Sequence, residues 1–175
     1  HNVVIECPAS SRSGHGDKSR AIVLSWIESS RKNKFNLFVV DTRWGNCSRT
    51  ALSEDTNNNN LIKEYIVKAQ LPIKTIDIYF KVGLPTEIRK VGKKNILITS
   101  LVETTLVHSN WLININEVCD MVIVPSQFSK EVLTKSIYDE KDNVTGKIIR
   151  QLKCEKPVEV ISEGFNENIF YKIQE

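Results

Sequence analysis

Four segments carry residue types able to do chemistry. The first is Arg12-Ser13-Gly14-His15-Gly16-Asp17-Lys18-Ser19-Arg20. Two glycines let backbone amides approach a ligand, and a helix amino end favours an anion. Gly14, His15 and Gly16 are therefore candidate contacts for a diphosphate or an acceptor sugar; a flexible loop with a helix cap has the same composition. Ser19 stands where a dinucleotide fingerprint has its third glycine, and the loop after Cys7 is long for a tight dinucleotide turn. The second segment is Ser100–Trp111. Glu103, directly after an apolar run, can accept hydrogen bonds from sugar hydroxyls, act as a base or stabilise positive charge. A solvated carboxylate is the competing reading. His108 is either catalytic or a surface or capping residue. The third segment is Val122–Lys130, where Ser126 caps a helix and, with Lys130, is a secondary candidate for ligand contact. The last is Lys156–Asn166, where Glu163-Gly164 suits a turn or hinge, glycine tolerating unusual backbone angles.

The elements that must position these residues are legible as alternating runs. Strands are expected at Val3–Cys7, Asn36–Val40, Thr75–Phe80, Asn95–Thr99, Met121–Val124 and Val158–Ile161. Several are continuously apolar and rich in Val and Ile, as strands covered on both faces are. Helical patterns separate them. Asp17 is expected to cap a helix to about Ser30, with Ala21, Leu24 and Ile27 or Trp26 on one side. Leu61, Ile62, Tyr65, Ile66 and Ala69 form a second apolar stripe, preceded by Asn57–Asn60, read as a solvated loop. Ser109 or Asn110 opens a third helix, Ser126 a fourth, and Val144–Leu152 a last one despite Gly146. Alternating strands and helices imply an α/β fold: a Rossmann-like, doubly wound, mainly parallel sheet in three α/β/α layers. Ligands in such sheets sit beyond the carboxyl ends of the strands. The segments after each strand should then share one rim, with the Ser100–Trp111 stretch at the topological switch point.

At 175 residues the chain suits one domain with a substantial core. Its 41% hydrophobic and 26% charged residues argue against disorder. A net charge of +3 predicts no broad nucleic-acid footprint. Cys7, Cys47, Cys119 and Cys154 form no CxxC pair and read as small core residues of a reducing compartment, hence a cytoplasmic protein. No transmembrane span or signal peptide is expected.

"DMVIVPSQFSKEVL" together with "KPVEVISEGFNENIF" resembles the retaining GT-B glycosyltransferases of the GT4-like group. "SLVETTLVHSNWLININEVCD" resembles that family's acidic-Thr…Trp…Asn…Asp stretch, and "SGHGDKSRA" its first Gly-rich loop. Asn166 stands where the family usually has Asp. The resemblance implies that residues 1–164 form the amino-terminal, acceptor-side Rossmann-like domain, one half of a GT-B fold. Residues 165–175 would begin the interdomain linker, with the carboxy-terminal donor-binding domain lying beyond them. It further implies a nucleotide-sugar donor as co-substrate, a carbohydrate, lipid-linked or protein acceptor, no cofactor and no metal, in keeping with the lack of a DxD motif. By carry-over, Gly14 and Gly16 lie near the phosphates, and Glu103, Thr104 and His108 border the sugar. Two alternatives stand beside this reading. A non-catalytic ligand-binding or assembly module is one. A dinucleotide-binding oxidoreductase domain, with Asp41 as the ribose-binding acid, is the other.

Overall fold

The computed structural model describes residues 1–101, 104–142 and 144–164. Its centre is a six-stranded, all-parallel sheet of order β2-β1-β3-β4-β5-β8. The strands are β1 (Asn2–Cys7), β2 (Asn36–Asp41), β3 (Ile78–Val82), β4 (Lys94–Ile98), β5 (Met121–Val124) and β8 (Val158–Val160). Strand β1 is buried along nearly its whole length and pairs on both sides. Its alternate side chains feed two cores. Val3, Ile5 and Cys7 pack on one face with Val23 and Ile27 of helix α1 (Gly14–Asn33) and Ile62 of helix α2 (Asn57–Tyr65). Val4 packs on the other with Leu112 and Ile115 of α3 (Ser109–Val118) and Val132 and Leu133 of α4 (Gln127–Lys135). Helices on both faces explain why the strands read as unbroken apolar runs.

Because β2 occupies one side of β1, the next strand can reach only its other side. The order reverses between β1 and β3, which is where the topological switch point lies. The expectation that put it after β4 is corrected accordingly. The connection from β2 to β3 uses both faces. After α2, Ile66 makes an isolated parallel bridge to Val39, and Leu71, Ile73 and Ile76 then pack into the opposite core. That bridge ends α2 at Tyr65, short of Ala69.

Local chemistry moves several boundaries. Ser13, not Asp17, caps α1, its side chain accepting from the Gly16 amide. Asp17 sits in the first turn, where an acid favours the helix dipole. The buried face of α1 runs through Gly16, Ser19, Val23, Ile27 and Ser30, leaving Ala21 exposed. Asn57–Asn60 is the first turn of α2 rather than a loop, because Thr56 accepts from the Asn59 amide. The helix expected at Val144–Leu152 is an antiparallel hairpin, β6 (Tyr138–Lys141) with β7 (Ile148–Leu152). Its turn is built by Gly146 at φ 68° and by Asp142, whose carboxylate accepts from the amides of Val144 and Thr145. Such turn chemistry, followed by the β-branched pair Ile148-Ile149, outweighs the helical spacing.

Candidate functional site

All six carboxyl ends of the sheet share one edge, and one ammonium ties three of the following segments together. Lys18, in the second turn of α1, donates to Ser100 Oγ at 3.1 Å and lies 2.8 Å from Glu163 Oε1. Its side chain is only 13% exposed, so the two partners matter: they hold a nearly buried charge. The segments after β1, β4 and β8 therefore meet, which places the glycine-bearing turn beside Glu163-Gly164. Glu163 acts there as a counter-ion. Gly164 shows no left-handed backbone angle.

His15 stacks on Trp44 from the loop after β2, with ring centroids 3.8 Å apart and planes 18° apart. Burial and the neighbouring Lys18 charge lower its pKa from the ordinary 6.5, which favours the neutral imidazole. The two glycines differ. Gly14 is exposed, and a Cβ there would meet nothing within 4 Å. At Gly16 a Cβ would collide with the Ser11 carbonyl oxygen, so close backbone packing accounts for this glycine.

At the switch point lies a cluster that sequence reasoning missed. Glu6 on β1 stands beside Lys81 on β3, both buried. Glu6 accepts from Lys81 Nζ at 3.0 Å, the Tyr79 hydroxyl at 3.0 Å and Arg89 Nη2 at 2.6 Å. Glu87 Oε2 lies 3.7 Å from Lys81 Nζ and accepts from the Leu84 amide. Burial pushes the Glu6 carboxyl up, but Lys81 and Arg89 together hold it below the ordinary 4.5. Burial and Glu6 raise the Tyr79 phenol. The available signal was a single charge inside each apolar run, "VVIEC" and "IYFKV". The strand expected at Thr75–Phe80 stopped one residue short of Lys81.

The other candidates stand apart from this cluster. His108 is the N-cap of α3, its Nδ1 accepting from the Asn110 amide at 3.1 Å. Thr104 is exposed and donates to the Leu106 carbonyl. Ser126 caps α4 as expected, accepting from the Ser129 amide. Lys130 is half-buried on that helix. Among the described residues, neither bonds to the Lys18–Glu163 pair. Glu103 lies outside the described residues. Asp41 is engaged by Ser10, through amide and hydroxyl, and by Arg49 at 2.7 Å, so the acid a ribose would need is committed. Burial raises the Cys7 and Cys119 thiols to about 12, as befits core residues. Cys47 is exposed, against expectation. Among the described residues no three His, Cys, Asp or Glu side chains group to hold a metal, and no helix is long and apolar enough to cross a membrane. The chain matches no protein-family model, no curated protein and no solved structure.

Proposed function

We propose that this chain is the acceptor-side, amino-terminal half of a cytoplasmic, retaining GT-B glycosyltransferase. A second Rossmann domain supplies the nucleotide site, and a sugar passes from a nucleotide-sugar donor to a carbohydrate, lipid-linked or protein acceptor. The observation that carries this reading is Lys18, which gathers the glycine-bearing turn, Ser100 and Glu163 at one carboxyl edge. In the closed enzyme the Gly14 and His15 amides and the Lys18 ammonium face the donor diphosphate. A preorganised cation and helix amino end stabilise the charge that builds on the departing diphosphate. Glu103, Thr104 and His108 border the sugar. The His108 Nδ1 is committed to its helix, so its Nε2 is the atom that meets ligand. Ser126 and Lys130 complete the rim.

The test is a transfer assay with a panel of nucleotide-sugars. The isolated chain is expected to be inactive. Joined to its donor-binding domain, the Glu103→Gln enzyme should turn over at least about tenfold more slowly, about 1.4 kcal/mol of barrier. Vigorous transfer by the isolated chain would refute the two-domain requirement, and unchanged turnover would remove Glu103 from the site. One observation favours a second reading, a non-catalytic ligand-binding module: the Lys18 charge is already neutralised by Glu163. Saturable ligand binding in a joined protein that transfers nothing would select it.

A further inference from the structure

The overall charge of +3 hides an uneven distribution. In a parallel sheet all strands start at the same edge, so the residues before each strand collect there. At this amino edge α1 ends with Arg31 and Lys32, and Lys34 follows as its C-cap. Lys74 precedes β3, and Lys90, Lys93 and Lys94 lie where the chain enters β4. All of them are exposed. Hydrogen bonds join these segments into one surface. The Asn36 amide donates to the His1 carbonyl at 2.9 Å, Asn2 Nδ2 to the Thr75 carbonyl at 3.0 Å, and the Lys93 amide to the Ile76 carbonyl at 3.0 Å. From β2 to β4 the surface spans roughly 15 Å. Two of its acids are already engaged: Asp77 lies 2.7 Å from Lys93, and Asp120 lies 3.2 Å from Lys94. Among the described residues no carboxylate pairs with Arg31, Lys32, Lys34, Lys74 or Lys90, although Glu28 lies one turn back on α1.

The loop entering β4 is held by Asn95, which is only 1% exposed. Its side-chain oxygen accepts from the Val91 and Gly92 amides at 3.0 and 2.9 Å, and its nitrogen donates to the Gly92 carbonyl at 2.9 Å. A Cβ on Gly92 would lie 2.8 Å from the Lys94 carbonyl oxygen, so the loop is packed tightly at that point. Val91, 44% exposed, is thereby presented between Lys90 and Lys93. We infer that this amino edge docks on the surface of an anionic lipid bilayer. The unpaired cations meet the headgroup phosphates, and Val91 reaches the boundary with the acyl chains. A nucleic acid fits less well. Among the described residues no aromatic side chain is exposed at this edge for a base to stack on; Phe35 packs against Trp26. Docked this way, the protein keeps its carboxyl rim, with Lys18 and Glu163, at the far end of the strands and open to solution. The inference is independent of the transferase reading, since a ligand-binding module docks by the same edge.

The test is co-sedimentation of the chain with vesicles of phosphatidylcholine containing about 30% phosphatidylserine, beside vesicles of phosphatidylcholine alone, at about 0.1 M salt. Binding is expected to the charged vesicles only, and it should weaken as salt is raised. Each cation removed from the edge should weaken it about fivefold, so Lys32→Gln with Lys90→Gln should cost at least about tenfold. Both side chains are exposed, so the melting temperature of the double variant should match the parent's. Lys141→Gln with Lys147→Gln removes the same charge from the β6–β7 hairpin, away from this edge, and should bind as the parent does. Val91→Ser should weaken vesicle binding at least about threefold and leave the weak binding of a short DNA duplex unchanged. The proposal is overturned if the charged vesicles are not bound, or if both vesicle types bind alike. It also fails if the hairpin variant loses as much binding as the edge variant, or if the duplex binds more tightly than the vesicles at matched phosphate concentration.

Discussion

Glu6 and Lys81 face each other across the β1–β3 strand pair, and what each costs alone differs from what they cost together. Removing one member of a buried pair leaves the other charge in a poor solvent, typically about 3–5 kcal/mol. Lys81→Met should therefore lower stability by about 3 kcal/mol in urea unfolding, with Arg89 still on Glu6 and Glu87 released from its cation. The Glu6 carboxyl titrates below 4.5 in the fold, so its contribution is complete above that value and disappears as pH falls through the lower folded pKa. Stability of the parent should decline with acid in that window, and Glu6→Gln should flatten that part of the profile. Asp77 and Asp120, also lowered by hydrogen bonds and neighbouring lysines, keep some acid sensitivity in the variant. The glycines of the α1 turn separate just as cleanly. Gly16→Ala must displace the Ser11 carbonyl and should destabilise markedly, whereas Gly14→Ala should be neutral or stabilising by up to about 1 kcal/mol. Paired thermal melts distinguish them.

Elements in this chain begin where a side-chain oxygen or nitrogen can take an amide proton. Ser13, Thr56, His108 and Ser126 each do so at the start of a helix. His108→Ala should cost about 1 kcal/mol of stability, as cap losses do, while His108→Asn should restore it. In the joined transferase, restored stability without restored turnover would mark a catalytic Nε2; recovery of both would leave His108 a cap. The β6–β7 hairpin rests on a different device. Gly146 at φ 68° occupies the left-handed region, where a Cβ costs about 1–2 kcal/mol. Gly146→Ala should speed amide exchange in Tyr138–Leu152 while leaving β1 protected, because the hairpin is a separate two-stranded sheet.

Across the whole molecule, the alternation of apolar runs with helical stripes was sufficient for the α/β class and for strands near their observed places. Periodicity is local, and a strand buried on both faces announces itself as an unbroken run of Val and Ile. The caps at Ser126 and the shared rim followed from equally local rules. The hairpin did not, since Val144–Leu152 has acceptable helical spacing and its turn depends on Asp142 and Gly146 acting together. The site was half legible. The glycine turn and Glu163 were visible as residue types, but that Lys18 would join them to Ser100 was not, because those positions are 82 residues apart for Ser100 and meet only when β1 and β4 enter one sheet. Glu6 and Lys81 carried a signal, a charge inside an apolar run, yet their partnership depends on β3 pairing with β1. By itself the sequence determined the strands of the central sheet and the four helices beside it, and which residue types follow them, because those rest on local hydrogen bonding and side-chain period; it did not determine the β6–β7 hairpin. Only the tertiary structure decided the strand order, the position of the switch point and which charges neutralise one another, because those depend on contacts between segments far apart in the chain.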